Sequence, residues 1–215
     1  MKTKIVSLLI AFGLLNAANA GNSVKLGLAS DSFYRGAQKS EESIQSSLMA
    51  GTALGGFNAS AHICSNQAID SESDSYHMGA GLGKSFAEGL FSLYGGFNHF
   101  EDVPGEALSE VEIKLSSSVA FSPSLSVYRD IDESLYTFEL SASHSLETDV
   151  ADISINASIG NTEVTTSNDR DYYSVGASTS KSLSDSSDLS LGVDYIDADD
   201  ISGEFVLGSA LSFKF

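Results

Sequence analysis

Residues 76–86 (YHMGAGLGKSF), 136–146 (YTFELSASHSL) and 173–183 (YSVGASTSKSL) repeat one pattern. In each, a tyrosine is followed eight residues later by a cation (Lys84, His144, Lys181), then a serine, then a large apolar residue (Phe86, Leu146, Leu183). Every one of those spacings is even, and even steps along a strand share one face. Each segment therefore presents an apolar ribbon with an aromatic at one end and a cation near the other. Ten residues at about 3.3 Å per residue, tilted about 40°, rise roughly 25 Å, the height of the apolar band on a transmembrane β-barrel. The predicted fold class is all-β: an antiparallel transmembrane barrel of about 12 strands, with 10 as the smaller count.

The first residues agree with an exported barrel. Lys2 and Lys4 precede an apolar run over 5–15, and Ala18-Asn19-Ala20 supplies the small residues of a signal-peptidase site. That run falls well short of the ~20 apolar residues a spanning helix needs. Residues 1–20 therefore read as a signal peptide and 21–215 as a single outer-membrane barrel domain. Removing the leader takes away two of the 11 lysines and arginines and none of the 29 acids, so the formal charge moves from −18 to −20. So acidic a chain repels nucleic acid and favours cations. The single Cys64 excludes an internal disulfide framework. A mean hydropathy of +0.02 is too polar for a helical membrane protein but suits strands whose two faces alternate.

Twelve strands are predicted over 24–28, 44–54, 57–64, 76–86, 90–100, 111–121, 125–129, 136–146, 153–160, 173–183, 189–196 and 204–215. Both prolines, Pro104 and Pro123, fall between strands, where a missing amide donor does no harm. The connections alternate: Gly55-Gly56, 87–89, Ser122-Pro123, 147–152 and 184–188 are short, while those at the other end read as longer and acidic. The acids of that end are Glu41, Glu42, Asp70, Glu72, Asp74, Glu101, Asp102, Glu106, Asp132, Glu133, Asp169, Asp199 and Asp200, against Arg35, Lys39 and Arg170. Short turns face the periplasm and long loops face outside. The tyrosine ends of the repeats then lie at the outer interface, with Lys84, His144 and Lys181 near the inner one. The expected surroundings are outer-membrane lipid and lipopolysaccharide; whether divalent cations bind loosely between the acidic loops and lipopolysaccharide stays open.

The C-terminus resembles the insertion signal that outer-membrane proteins present to the barrel-assembly machinery. It is carried by Gly208, Leu211, Phe213 and the terminal Phe215, with Phe205, Leu207, Leu211, Phe213 and Phe215 on one strand face. Near the front, Ser32-Phe33-Tyr34-Arg35-Gly36, followed by a polar stretch and an alternating strand, resembles the TorF family of porins. That resemblance implies a pore-like barrel of undefined substrate. The same residues also read as a hairpin in which Gly36 supplies a permissive backbone and Arg35 pairs with an acid such as Glu41.

Transport chemistry is expected on the inward parity of the strands, where the candidate lumen-lining residues are Lys25, Glu112, Lys114, Glu139, Asp194, Glu204 and Lys214 among many serines, asparagines and glycines. Two outcomes remain open for that lining: a conducting pore for small solutes or cations, or a closed polar core in which the lysines neutralise the acids. An enzyme is a third reading, and it is not the expected one. A lipid-side nucleophile needs a Ser and a His two residues apart or on adjacent strands. His144 has Ala142 and Leu146 as same-face neighbours, His62 shares its face with Ser60 and Cys64, and His77 and His99 are predicted near the outer rim. Residues 70–74 (DSESD) alternate acids without the Gly and Glu of a calcium loop, and no cofactor or metal site is expected.

Overall fold

Alternation of serine or charge with Val, Ile, Leu or Phe gives each segment two unlike faces, and closing them into a barrel satisfies every strand edge at once. The computed structural model describes residues 21–35, 37–40, 42–69, 74–103, 107–165, 167–199 and 201–215; the leader expected over 1–20 lies outside them. In chain order the strands are β1 (Ser23–Ala29), β2 (Ser32–Tyr34), β3 (Ala37–Ser40), β4 (Ser43–Leu54), β5 (Phe57–Ala68), β6 (Asp74–Phe86), β7 (Phe91–Val103), β8 (Ala107–Ser117), β9 (Ser124–Asp130), β10 (Tyr136–Leu146), β11 (Asp152–Thr165), β12 (Asn168–Ser184), β13 (Ser187–Ala198) and β14 (Ile201–Lys214). Twelve of them, β1 and β4 to β14, form a closed barrel in which every strand pairs antiparallel with its sequence neighbour and β14 returns to β1. β2 and β3 form a separate two-stranded hairpin between β1 and β4.

The polarity runs inside out. Ile113, Leu140 and Phe205 point outward and are 60, 53 and 68 % exposed, whereas Ser43, Asn98, Glu110, Ser126 and Thr137 are buried inside. A water-soluble barrel would reverse that arrangement; a barrel dissolved in lipid requires it. Tyr173 and Tyr195 sit on the outward face at the loop end, where the Tyr173 hydroxyl donates to Asp197 Oδ2 at 2.9 Å. At the turn end Lys84 Nζ lies 5.1 Å from the centre of the Phe57 ring, and Phe86 stacks near Phe91. Leu140→Arg in mid-band should therefore destabilise the barrel by about 2–4 kcal/mol, and Lys84→Ala at the interface should cost much less. Refolding into lipid vesicles measures both, and equal losses at the two depths would contradict this register.

Several boundaries differ from the sequence reading. β8 begins at Ala107 and stops at Ser117, so Val119 and Phe121 lie beyond it. Phe121 and Ser122 have φ of 64° and 36°, and the Phe121 carbonyl accepts from the Ser143 amide at 2.8 Å. β9 is only seven residues long, and this folded-over loop borders β10 where β9 is absent. Val119 and Phe121 kept the outward apolar pattern, which reports lipid exposure rather than strand. At the loop end the polar residues Ser65, Asn66 and Gln67 extend β5, and β6, β7, β11 and β12 run further than expected. Asp74, Glu101, Asp102 and Asp169 are thus strand residues. The connections there are short as well, apart from the first, over 30–42. The two-glycine turn at Gly55 and Gly56, with φ of 57° and 84°, suits the twist of the β4–β5 hairpin.

Candidate functional site: the lumen constriction

The long first connection folds into the barrel. Its tip residue Arg35 adopts a left-handed backbone with φ of 50°, which aims the guanidinium across the lumen at the opposite wall. Arg35 Nη2 donates to Glu110 Oε1 of β8 at 2.8 Å, and Nη1 lies 3.3 Å from Thr137 Oγ1 of β10. The guanidinium carbon sits 3.8 Å from the centre of the Tyr128 ring of β9 and 4.6 Å from that of Tyr34. The Tyr34 hydroxyl donates to the same Glu110 oxygen at 3.0 Å, and burial, reinforced by that carboxylate, holds the Tyr34 phenol well above its ordinary pKa. The Arg35 and Glu110 side chains are 10 and 1 % exposed. A buried pair of this kind persists when its remaining polar atoms find partners; here Tyr34, Thr137 and Asn98 provide them. Further along the hairpin, Lys39 Nζ meets Asp102 Oδ2 of β7 at 2.9 Å. Arg35 therefore pairs with Glu110, 75 residues away in sequence; the expected partner Glu41, and Gly36, lie outside the described residues.

The constriction continues as a row of stacked rings. Tyr34 contacts Phe100 with centroids 4.4 Å apart, Phe100 stacks on His77 at 4.0 Å and 8°, and His77 meets His62 edge-on at 4.4 Å. Together with Arg35 and Tyr128, these groups reach from β5 to β9. On the loop side lies a cavity of about 560 Å³ whose lining includes Lys25, Lys39, Gln45, Asp102, Asp130 and Glu133. On the turn side a second cavity of about 480 Å³ is walled by serines and Lys114. That wall has an order visible only in the strand register: Ser92, Ser116, Ser124, Ser141, Ser158 and Ser174 stand directly opposite one another on six consecutive strands, β7 to β12. Three of the five junctions are hydroxyl–hydroxyl contacts of 2.7–2.8 Å. The result is a continuous hydroxyl ladder around half of the inner wall.

The structure places Lys25, Glu112, Lys114, Glu139, Asp194, Glu204 and Lys214 on the rows of the strands that face the lumen, opposite Ser47, Gly96, Ser126, Gly160, Gly176, Ile196 and Ser23 respectively. They do not converge on one point. Glu139 Oε2 accepts from the Tyr172 hydroxyl at 2.8 Å, and Asp194 Oδ1 accepts from Asn156 Nδ2 at 3.3 Å. Lys214 pairs at 2.7 Å with Asp188, not with any of the acids singled out in the sequence. Lys25 and Lys114 form no ion pair with a described acid. Gly208, Leu211 and Phe213 lie on β14, Leu211 and Phe213 on its outward row and Gly208 inward; Phe215 follows the strand, its amide donating to the Asn22 carbonyl at 3.0 Å.

Comparison with solved structures gives the same architecture. The KdgM porin superposes with a TM-score of 0.60 at 12 % identity, covering 90 % of this chain and 99 % of its own. The chain shares the closed antiparallel fold of outer-membrane β-barrels. The NanC porin matches with a TM-score of 0.61 at 9 % identity over 89 % of this chain and 100 % of its own. An outer-membrane channel from Pseudomonas putida F1 matches at 0.57 and 11 % identity, over 91 and 94 %. KdgM has also been solved in complex with disordered oligogalacturonate. No family model and no curated protein sequence matches the chain, so the TorF resemblance is carried by the residues around Tyr34-Arg35-Gly36 and by architecture alone.

Two arrangements escape the sequence reading. His77, near the loop end of β6 as expected, has an inward side chain beneath the hairpin, opposite Cys64 and Phe100, a contact the sequence reading did not foresee. On the outward face His99 Nδ1 lies 2.9 Å from Ser109 Oγ of the next strand, the Ser–His approach that an acyl-transfer site requires. Among the described residues, that imidazole makes no hydrogen bond to an orienting carboxylate or amide side chain, the third member a catalytic set needs.

Proposed function

We propose that this barrel sits in the outer membrane, after export through the leader at 1–20, and acts as a porin-like channel for small polar solutes and ions that prefers cations. The observation that carries the preference is the charge left over on the inner wall. Arg35 and Lys39 are already neutralised by Glu110 and Asp102, and Lys214 by Asp188. Among the described lumen-facing residues, Glu112, Glu139, Asp194 and Glu204 then stand against Lys25, Lys114 and Arg170, and Asp130 adds a further acid on the same inner wall. At the loop end, Asp74, Glu101, Asp132, Glu133, Asp169 and Asp199 extend the same sign outward. A cleft lined by one charge and walled by low-dielectric material focuses its field and concentrates counter-ions. The same surplus argues against an acidic sugar chain of the kind bound by KdgM, because galacturonate carries a carboxylate on each unit. With both termini at the turn end, an exported barrel places its acidic loop end outside.

Neutralising two of these acids tests the source of the preference. Glu112→Gln combined with Asp194→Asn should move the reversal potential in a potassium chloride gradient toward zero while leaving conduction intact. An unchanged potential would place the selectivity elsewhere. The docked hairpin favours a second reading, a closed structural barrel whose acidic rim binds a surface partner, and a channel that stays silent at all voltages would support it.

A further inference from the structure

We propose that His62 and His77 form a transit site for a late first-row divalent cation on the lumen wall, at the foot of the hairpin. This rests on the reading of the lumen as a cation path and names a class of cargo for it. The two Nε2 atoms face each other at 3.1 Å. Two imidazole nitrogens bound at about 2.0–2.1 Å to one Zn²⁺-sized ion stand about 2.9 Å apart at a right angle and about 3.4 Å apart at the tetrahedral angle. The observed separation falls between these limits, so an ion enters with a small ring movement that exchanges the imidazole–imidazole hydrogen bond for two metal bonds. Both nitrogens carry an available lone pair in the tautomers that metal binding selects.

The barrel wall is shaped around this pair. Glycine at position 79, beside His62 in the register, leaves the space the His62 ring occupies: a Cβ there would stand 2.6 Å from Cε1 and 3.0 Å from Nε2. His77 is fixed from its other face by Phe100. The neighbouring inward positions carry the softest ligands in the chain. Cys64 stands directly opposite His77, and Met49 directly opposite His62. Thiol, thioether and imidazole together select zinc, copper and nickel over magnesium and calcium.

Among the described residues, no three His, Cys, Asp or Glu side chains gather closely enough to enclose an ion. An ion held here keeps open positions for water. Conduction requires a site that binds well enough to be entered and weakly enough to be left, and two imidazoles with water meet that condition where a closed four-ligand site would trap its ion.

The test uses the full mature barrel refolded in detergent and titrated with Zn²⁺ alone. Calorimetry should give one site per barrel, and the Nε2 resonances of two of the four histidines should shift in the wild-type protein, a readout that needs no variant. His62→Gln and His77→Gln, each checked for the folded, heat-modifiable form, should weaken binding by about tenfold or more, whereas His99→Ala and His144→Ala should leave it unchanged. Binding that persists in both glutamine variants, or zinc shifts confined to His99 and His144, would overturn the site. In a planar bilayer, Zn²⁺ should block potassium current reversibly, and His62→Gln should relieve the block. Zinc bound at His62 and His77 in a barrel that passes no current would uphold the site and overturn the channel reading. Current that zinc does not affect would do the reverse.

Discussion

Glu110→Ala is expected to raise single-channel conductance several-fold, because Glu110 is the group on which the inward hairpin docks. It accepts from both Tyr34 and Arg35, and it is buried while doing so. Among the described residues, removing it leaves the Arg35 guanidinium inside the lumen with Thr137 and the faces of Tyr34 and Tyr128. Breaking one side of a buried ion pair costs about 3–5 kcal/mol. Even half of that shifts a docked–undocked equilibrium by about tenfold or more. The released hairpin then takes Tyr34 away from Phe100 and widens the narrowest part of the lumen. Arg35→Ala should have a similar effect, and the two together should be far from additive because they disrupt one contact. Single-channel recording measures this, and an unchanged conductance in a properly folded Glu110→Ala barrel would show that the hairpin is not the constriction.

Deleting residues 213–215 is expected to remove most of the heat-modifiable, membrane-inserted form. Two physical losses coincide there. The rungs Ser23 to Lys214 and Val24 to Phe213, and the Phe215 amide bond to Asn22, close the seam between the first and last strands. Phe213 and Phe215 also end the outward apolar row at the interface, where aromatic side chains anchor a barrel. The deleted segment is the aromatic end that resembles the signal read by the assembly machinery. Quantifying the heat-modifiable band in outer-membrane fractions checks the outcome, and wild-type levels of the truncated chain would contradict it.

The barrel itself was legible because lipid imposes a strict rule: the outward row must be apolar over a fixed height, and residues 76–86, 136–146 and 173–183 state that rule three times. All twelve barrel strands were found for this reason. Their ends were less legible. Above the band both faces meet water, so Ser65, Asn66 and Gln67 carry no alternation although they continue β5. Val119 and Phe121 kept the alternation although their backbone turns. The constriction was the least legible part. Tyr34-Arg35-Gly36 stood out as a motif, but its partner Glu110 lies 75 residues away from Arg35, and nothing local distinguishes that glutamate from Glu112. The His62–His77 contact and the serine ladder depend on the register between strands. A single-sequence reading assigns each residue to a face without knowing which residue stands opposite.

The most direct test is the reversal potential of the refolded wild-type barrel in a planar bilayer under a potassium chloride gradient. If the surplus carboxylates of the lumen and loop end govern passage, the barrel will conduct with the cation-selective sign. The preference will fade at molar salt, where the screening length falls to about 3 Å. An anion-selective reversal potential, or no conductance at any salt concentration, would contradict the account.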